Sequence, residues 1–182
     1  MWYNIGTCIV FSSENILLVR RGVYMFQIND YVLYQEQVCQ IKEQKKNEFT
    51  GLDCYILVPL TDASLRLNVP VDNPNIKTLM SEEEIKQLIH LMPRVPVIVV
   101  DDKMLENEYK KLYHSGNKED LIRIIKTTYM RNQERLSNNK KISEKDNRYF
   151  LMAENLLYEE IAAVLHISSQ EAKEYVLSHV KK

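Results

Sequence analysis

Glycine is scarce, with four residues in 182, and no GxGxxG, GxSxG, Walker or HExxH string occurs. Little chain is left for a glycine-rich turn around a phosphate or for a nucleophile on a sharp elbow. Cys8, Cys39 and Cys54 are odd in number and have no CxxC spacing, and His90, His114, His166 and His179 lie far from them along the chain. This pattern argues against a disulfide framework and a zinc site, and it fits single thiols in a reducing cytoplasm. No cofactor is expected. An excess of one charge is missing too: 24 Lys and Arg face 25 Asp and Glu, a formal net charge of -1. Total charge therefore predicts no nucleic acid, and any phosphate contact needs a local basic patch. No apolar run approaches the roughly 18 residues of a membrane span. Ile16, Leu17, Leu18 and Val19 precede Arg20 and Arg21, the wrong order for a signal peptide, so neither export nor a membrane is expected.

What is present is an ordinary globular composition, 45% hydrophobic and 27% charged, enough for one good-sized core or two small ones. Residues 1–24 read as an N-terminal extension. They form either an extra strand or hairpin, with Cys8 to Phe11 and Ile16 to Val19 flanking its turn, or an addition upstream of the preferred start at Met25. From Phe26 to about Val71, short alternating and β-branched segments predict strands over 31–34, 38–43, 54–60 and 65–69, with polar connections at 45–50 and 61–64 and a turn at Gly51. That many strands in so short a span predict a small curled sheet of the Tudor or SH3-like kind, its core drawn from Val32, Val38, Tyr55, Leu57 and Val69.

After Pro70 and the turn-forming Asp72, Asn73, Pro74 and Asn75, the period lengthens and capping signals recur: Ser81 with Glu84, Asn117 with Asp120, Ser143 with Asp146, Ser168 with Glu171. Helices are expected over 81–91, 102–114, 118–136, 143–165 and 169–180. The fold class is α+β: a small β domain at 25–75, then a compact all-helical domain at 80–182.

Within 118–136, Leu121, Ile125, Thr128, Tyr129 and Leu136 predict a packed helix face opposite a basic one. Between 121 and 148, Arg123, Lys126, Arg131, Arg135, Lys140, Lys141, Lys145 and Arg148 outnumber Glu134, Glu144 and Asp146. Such a local excess suits phosphate oxygens, although charge alone favours the plainer reading of a solvated basic face. Glu82, Glu83 and Glu84, and the neighbours Glu159 and Glu160, read as capping and surface charge rather than paired catalytic carboxylates. His90 and His166 read as satisfied helix-end residues. The expectation is a non-enzymatic protein.

Particular residues then coincide with a family. Met25 to Tyr34, Tyr55 to Pro59, Leu67 to Asn73, Glu108 to Leu112 with Ser115 to Asn117, Leu121 to Arg131, and Ala153 to Glu160 stand in the order and spacing of the CarD/CdnL bacterial transcription regulators, which the chain resembles from Met25 to about Val180. The resemblance implies that the β domain binds the RNA polymerase β subunit and that the helical domain contacts promoter DNA at the upstream edge of the open complex. It also implies a cytoplasmic, nucleoid-associated protein. An exposed sheet edge suits the polymerase contact, expected at Lys45, Lys46, Arg66 and Asn68. DNA contact is expected at Lys103, Lys110, Lys111, Arg123, Lys126, Arg131, Lys140 and Lys141.

Two departures stand out. The helical half has no tryptophan to lean into the minor groove, the only one being Trp2, and Asp101 and Asp102 repel nearby phosphate. Where the family has a histidine-glycine turn after Tyr34, this chain has Gln35, Glu36 and Gln37. The alternative function is a protein-interaction adaptor that binds polymerase or another partner without engaging DNA.

Overall fold

The computed structural model describes residues 10–12, 15–20, 23–48 and 50–180, with side chains from Phe26 onward. Cys8 and Trp2 lie outside these residues. The chain divides into two compact units, Met1–Thr78 and Leu79–Lys182. The first is made of strands and the second of helices.

In the first unit, β1 (Val10–Ser12), β2 (Asn15–Arg20) and β3 (Val23–Met25) form a three-stranded antiparallel sheet in that order. A second antiparallel sheet contains β4 (Tyr31–Tyr34), β5 (Gln37–Lys46), β6 (Asp53–Pro59), β7 (Leu67–Pro70) and β8 (Lys77–Thr78), ordered β7-β6-β5-β4-β8. Because side chains alternate along a strand, Val32, Cys39, Ile41, Tyr55, Leu57 and Val69 share one face and pack with Phe26. Val38 is buried as well, but it opposes Leu33 and therefore lies on the other face. The Tyr55 hydroxyl accepts from the Phe26 N–H and donates to the Phe26 carbonyl, both at 3.1 Å, tying the entry of the sheet to its centre.

Strand β5 runs beyond its expected end. Lys45 and Lys46, expected in a polar connection, pair with Cys54 and Asp53. Lys42 makes this possible: the register steps from Ile41 opposite Leu57 to Glu43 opposite Ile56, so Lys42 is the extra residue of a bulge, which bends and twists the strand. The connection to β6 closes at Gly51, whose φ of +68° suits glycine.

Tyr34 and Gln37 pair directly, so Gln35 and Glu36 make a two-residue hairpin turn with φ of +48° and +54°. Two consecutive left-handed residues twist the turn to match the strands, a geometry that favours Asn-Gly. Gln and Glu occupy it at a cost of about 1–2 kcal/mol per residue.

In the second unit, α1 (Glu82–Leu91) begins with a reciprocal capping box between Ser81 and Glu84. Those hydrogen bonds hold the Glu84 carboxyl below its usual value. A single 3-10 turn, Met92–Arg94, ends it. The helices α2 (Asp102–Tyr113), α3 (Lys118–Ser137), α4 (Glu144–Leu165) and α5 (Ser169–Val180) follow close to the expected spans. Asn117 caps α3 through the Glu119 N–H, Ser143 caps α4 through the Asp146 N–H, and Ser168 exchanges bonds with Glu171 at the start of α5. The core gathers Ile85, Leu105, Tyr109, Ile124, Leu157 and Ile161, each at most 1% exposed.

The packed face of α3 differs from the expected one. Leu121, Ile122, Ile124, Thr127 and Thr128 are buried, whereas Tyr129 and Leu136 are 56% and 51% exposed. Tyr129 and Leu136 follow buried Ile122 at intervals of seven, so they continue a side of α3 that is covered at its start and exposed further along.

Replacing Gln35 by Asn together with Glu36 by Gly should raise stability by about 1–2 kcal/mol. Urea unfolding followed by circular dichroism measures it; a loss of stability would mean that the native side chains make contacts worth more than the relieved strain.

Candidate functional site

Two surfaces carry the residues singled out above, one in each unit. In the β unit, β7 lies at the end of the sheet, bonded to β6 on one side only. The Val71 N–H donates to the Asp53 carbonyl at 3.0 Å. Alternation then directs the main-chain groups of Val69 toward β6 and those of Asn68 toward the open edge. Pro70 falls in the outward set, where its missing N–H removes no bond to β6. Register also places Glu43 and Asn68 on either side of Ile56, and Lys45 beside Cys54, on one face of the sheet. Arg66 joins that face through an ion pair with Glu43 at 3.6 Å. Three of the expected polymerase-binding residues, Lys45, Arg66 and Asn68, therefore share a face near the open edge. Lys46 alternates to the opposite face.

The helical candidates separate by what their side chains already touch. Lys110 pairs with Glu106 at 3.8 Å, Lys111 with Glu108 at 3.6 Å and Arg123 with Asp120 at 3.6 Å. These surface pairs are worth well under about 1 kcal/mol each, and the lysines stay available to solvent. Lys126 is committed differently. Its ammonium donates to the carbonyls of Met92, Pro93 and Val95, closing the turn after α1. Arg131 bridges Asp102 at 3.0 Å and Asp146 at 3.2 Å. Lys103, Lys140 and Lys141 are exposed, and among the described residues their ammonium groups have no hydrogen-bonding or ionic partner. Lys140 lines an open polar groove with Asp102, Arg131, Glu134, Arg135 and Asn138.

The expected basic face of α3 is thus partly an internal device. Asp146 is fully buried at the start of α4. It accepts from the Tyr109 hydroxyl of α2 at 3.2 Å and from Nε of Arg131 in α3 at 3.2 Å. Burial, and after it the Asp146 charge, push the Tyr109 phenol well above its usual value. The spacing of Ser143 and Asp146 exposed the cap, but nothing local in the sequence marked this carboxylate as a three-helix junction.

Glu160 calls for a correction as well. Read as surface charge, it is fully buried, accepting from the Lys118 ammonium and from the Met80 N–H, the latter at 3.0 Å. Position 160 lies three residues from Leu157 and Ala163, on the inward stripe of α4. Its neighbour Glu159 is half-buried, and burial raises that carboxyl above its usual value.

Among the described residues no group of three or more His, Cys, Asp and Glu side chains is placed to hold a metal ion. No helix of theirs is long and apolar enough to cross a membrane. Comparison with protein-family models and with curated proteins found no match to the chain.

Removing the Asp146 carboxylate by Asp146→Ala should destabilise the helical unit by about 3 kcal/mol, because Tyr109 and partly buried Arg131 lose their shared acceptor. Denaturant unfolding followed by circular dichroism reads it, and a loss under about 1 kcal/mol would contradict the junction role. For Glu159, the raised folded value means that its contribution is full below the unfolded value and is lost as the pH rises through the folded one. Glu159→Gln should therefore flatten the fall in stability as the pH rises above the ordinary carboxylate range, checked by melting temperature against pH.

Proposed function

We propose that this chain is a bacterial transcription regulator of the CarD type. It is a non-enzymatic, cytoplasmic and nucleoid-associated adaptor whose β unit binds the RNA polymerase β subunit and whose helical unit contacts promoter DNA. The five-stranded antiparallel sheet is read as a Tudor- or SH3-like partial barrel. The observation that carries the proposal is the open edge of β7, with Asn68 turned outward and Lys45 and Arg66 beside it. A strand edge of this kind pairs with a partner's strand through main-chain bonds, and the flanking charges select the partner. The order of the units, strands first and five helices after, agrees with the resemblance.

For DNA the reading rests on Lys103, Lys140 and Lys141, with Lys110 and Lys111 as exposed helpers in weak pairs. Phosphate contact needs mobile, hydrated cations, and the Lys126 ammonium and the Arg131 guanidinium are engaged within the unit. That engagement also favours the second reading, an adaptor confined to polymerase. The exposed Asp101 and Asp102 add to it, since they repel phosphate beside α2.

The test uses the full chain. Asn68→Pro removes an outward N–H without breaking a β6 bond and should abolish capture of polymerase β-subunit fragments. Lys140→Glu with Lys141→Glu should weaken promoter binding and reduce the slope of log affinity against log salt by about 2. Loss of capture with an unchanged salt slope selects the DNA-free adaptor, and capture unaffected by Asn68→Pro refutes the edge as the polymerase site.

A further inference from the structure

Between the 3-10 turn and α2, the stretch Val95, Pro96, Val97, Ile98, Val99 and Val100 forms no helix, strand, turn or bend. Its two ends are extended, with φ and ψ of −63° and 122° at Val95 and −61° and 145° at Asp101. Four consecutive β-branched residues are strand chemistry, yet no strand lies beside them among the described residues. Val99 is 87% exposed and Val100 41%, with Met104 in the first turn of α2 at 56%. A run of large apolar side chains at such exposure leaves apolar surface uncovered.

The main chain of the segment has a covered edge and an open one. The Ile98 N–H donates to Oγ1 of Thr127 at 2.9 Å, so that edge faces α3. The Val95 carbonyl faces α3 as well, accepting from the Lys126 ammonium. Among the described residues, the N–H and C=O groups of Val97 and Val99 have no hydrogen-bond partner. Pro96 has no N–H to donate, and it precedes both Val97 and Val99, so it takes no donor from them. The flanks carry opposite charge: exposed Arg94 at one end, exposed Asp101 and Asp102 at the other.

We propose that this segment is a self-association edge, pairing antiparallel with the same segment of a second copy of the chain. Placing Ile98 opposite Ile98 of the second copy puts Val97 opposite Val99 twice, and these are the residues whose main-chain groups have no partner among the described residues. The hydrogen-bonded pairs then flank a non-hydrogen-bonded centre, as an antiparallel ladder requires. The same register brings the Arg94 end of each copy to the acidic end of the other, so like charges stay apart and unlike charges meet at both ends. A contact four residues long buries much less than the roughly 1,200 Å² of a standard interface, so the dimer is weak and concentration-dependent.

Sedimentation equilibrium of the full chain from about 10 μM to about 1 mM reads this association. The expected result is a reversible monomer–dimer equilibrium that Val99→Pro weakens by about tenfold or more, because two outward N–H donors are lost per dimer. Circular dichroism should be unchanged for this exposed substitution. Arg94→Asp and Asp101→Arg should each weaken the dimer, and the two together in one chain should restore it. Asp101 is suited to the swap because its side chain makes no capping bond to α2. A monomer at every concentration, or a dimer indifferent to Val99→Pro and to the charge swap, overturns the proposal. So does a monomer whose DNA affinity falls on Val99→Pro, which would make the apolar segment a nucleic-acid contact instead.

Discussion

The helical unit depends on the rule that a buried carboxylate must find donors. Asp146 has no exposed surface, and it takes one hydrogen bond from Tyr109 in α2 and one from Arg131 in α3 while standing on the first turn of α4. An unpaired charge at that depth costs several kcal/mol, so the three helices are constrained to the arrangement that brings both donors in. Glu160 imposes the same kind of constraint further along α4, where Lys118 at the start of α3 and the Met80 N–H ahead of α1 converge on it. Apolar packing brings helices together without much direction. These two carboxylates add direction.

The constraint has a functional consequence. Basic residues that answer buried acids or helix-end carbonyls are structural cations, and they are poor candidates for phosphate. Arg131 and Lys126 are of this kind. The exposed cations without a partner among the described residues sit at the ends of elements, Lys103 at the start of α2 and Lys140 and Lys141 between α3 and α4. The β unit has a comparable division: Tyr55 closes the interior by bonding Phe26, whereas the outer edge of β7 has no strand beside it among the described residues. In each unit the interior is satisfied locally, and what stays open among the described residues is a strand edge or an exposed cation.

Much of the architecture was legible before any coordinates. Helix starts were readable because Ser81, Asn117, Ser143 and Ser168 act within a few residues of themselves, and capping is a local interaction. Strand positions were readable from alternation, and the core residues Val32, Tyr55, Leu57 and Val69 followed from it. The end of β5 was not, because Lys45 and Lys46 look like loop residues until Cys54 and Asp53 pair with them. The exposure of Tyr129 and Leu136 is not legible for a similar reason, since they continue the side on which Ile122 is buried and only the neighbouring helices decide how far along α3 that side is covered.

By itself, then, the sequence determined the division into a strand unit and a helical unit and the helix caps, all properties of composition and short-range spacing. Which charges turn inward was decided by tertiary structure alone. Glu159 and Glu160 are adjacent and chemically identical, yet one is half-buried and its neighbour is sealed against Lys118. The same holds for Arg131, for the outward turn of Asn68 and for the open edge at Val99. Each depends on a partner, or on the want of one, that distant parts of the chain must supply, and no local pattern encodes it.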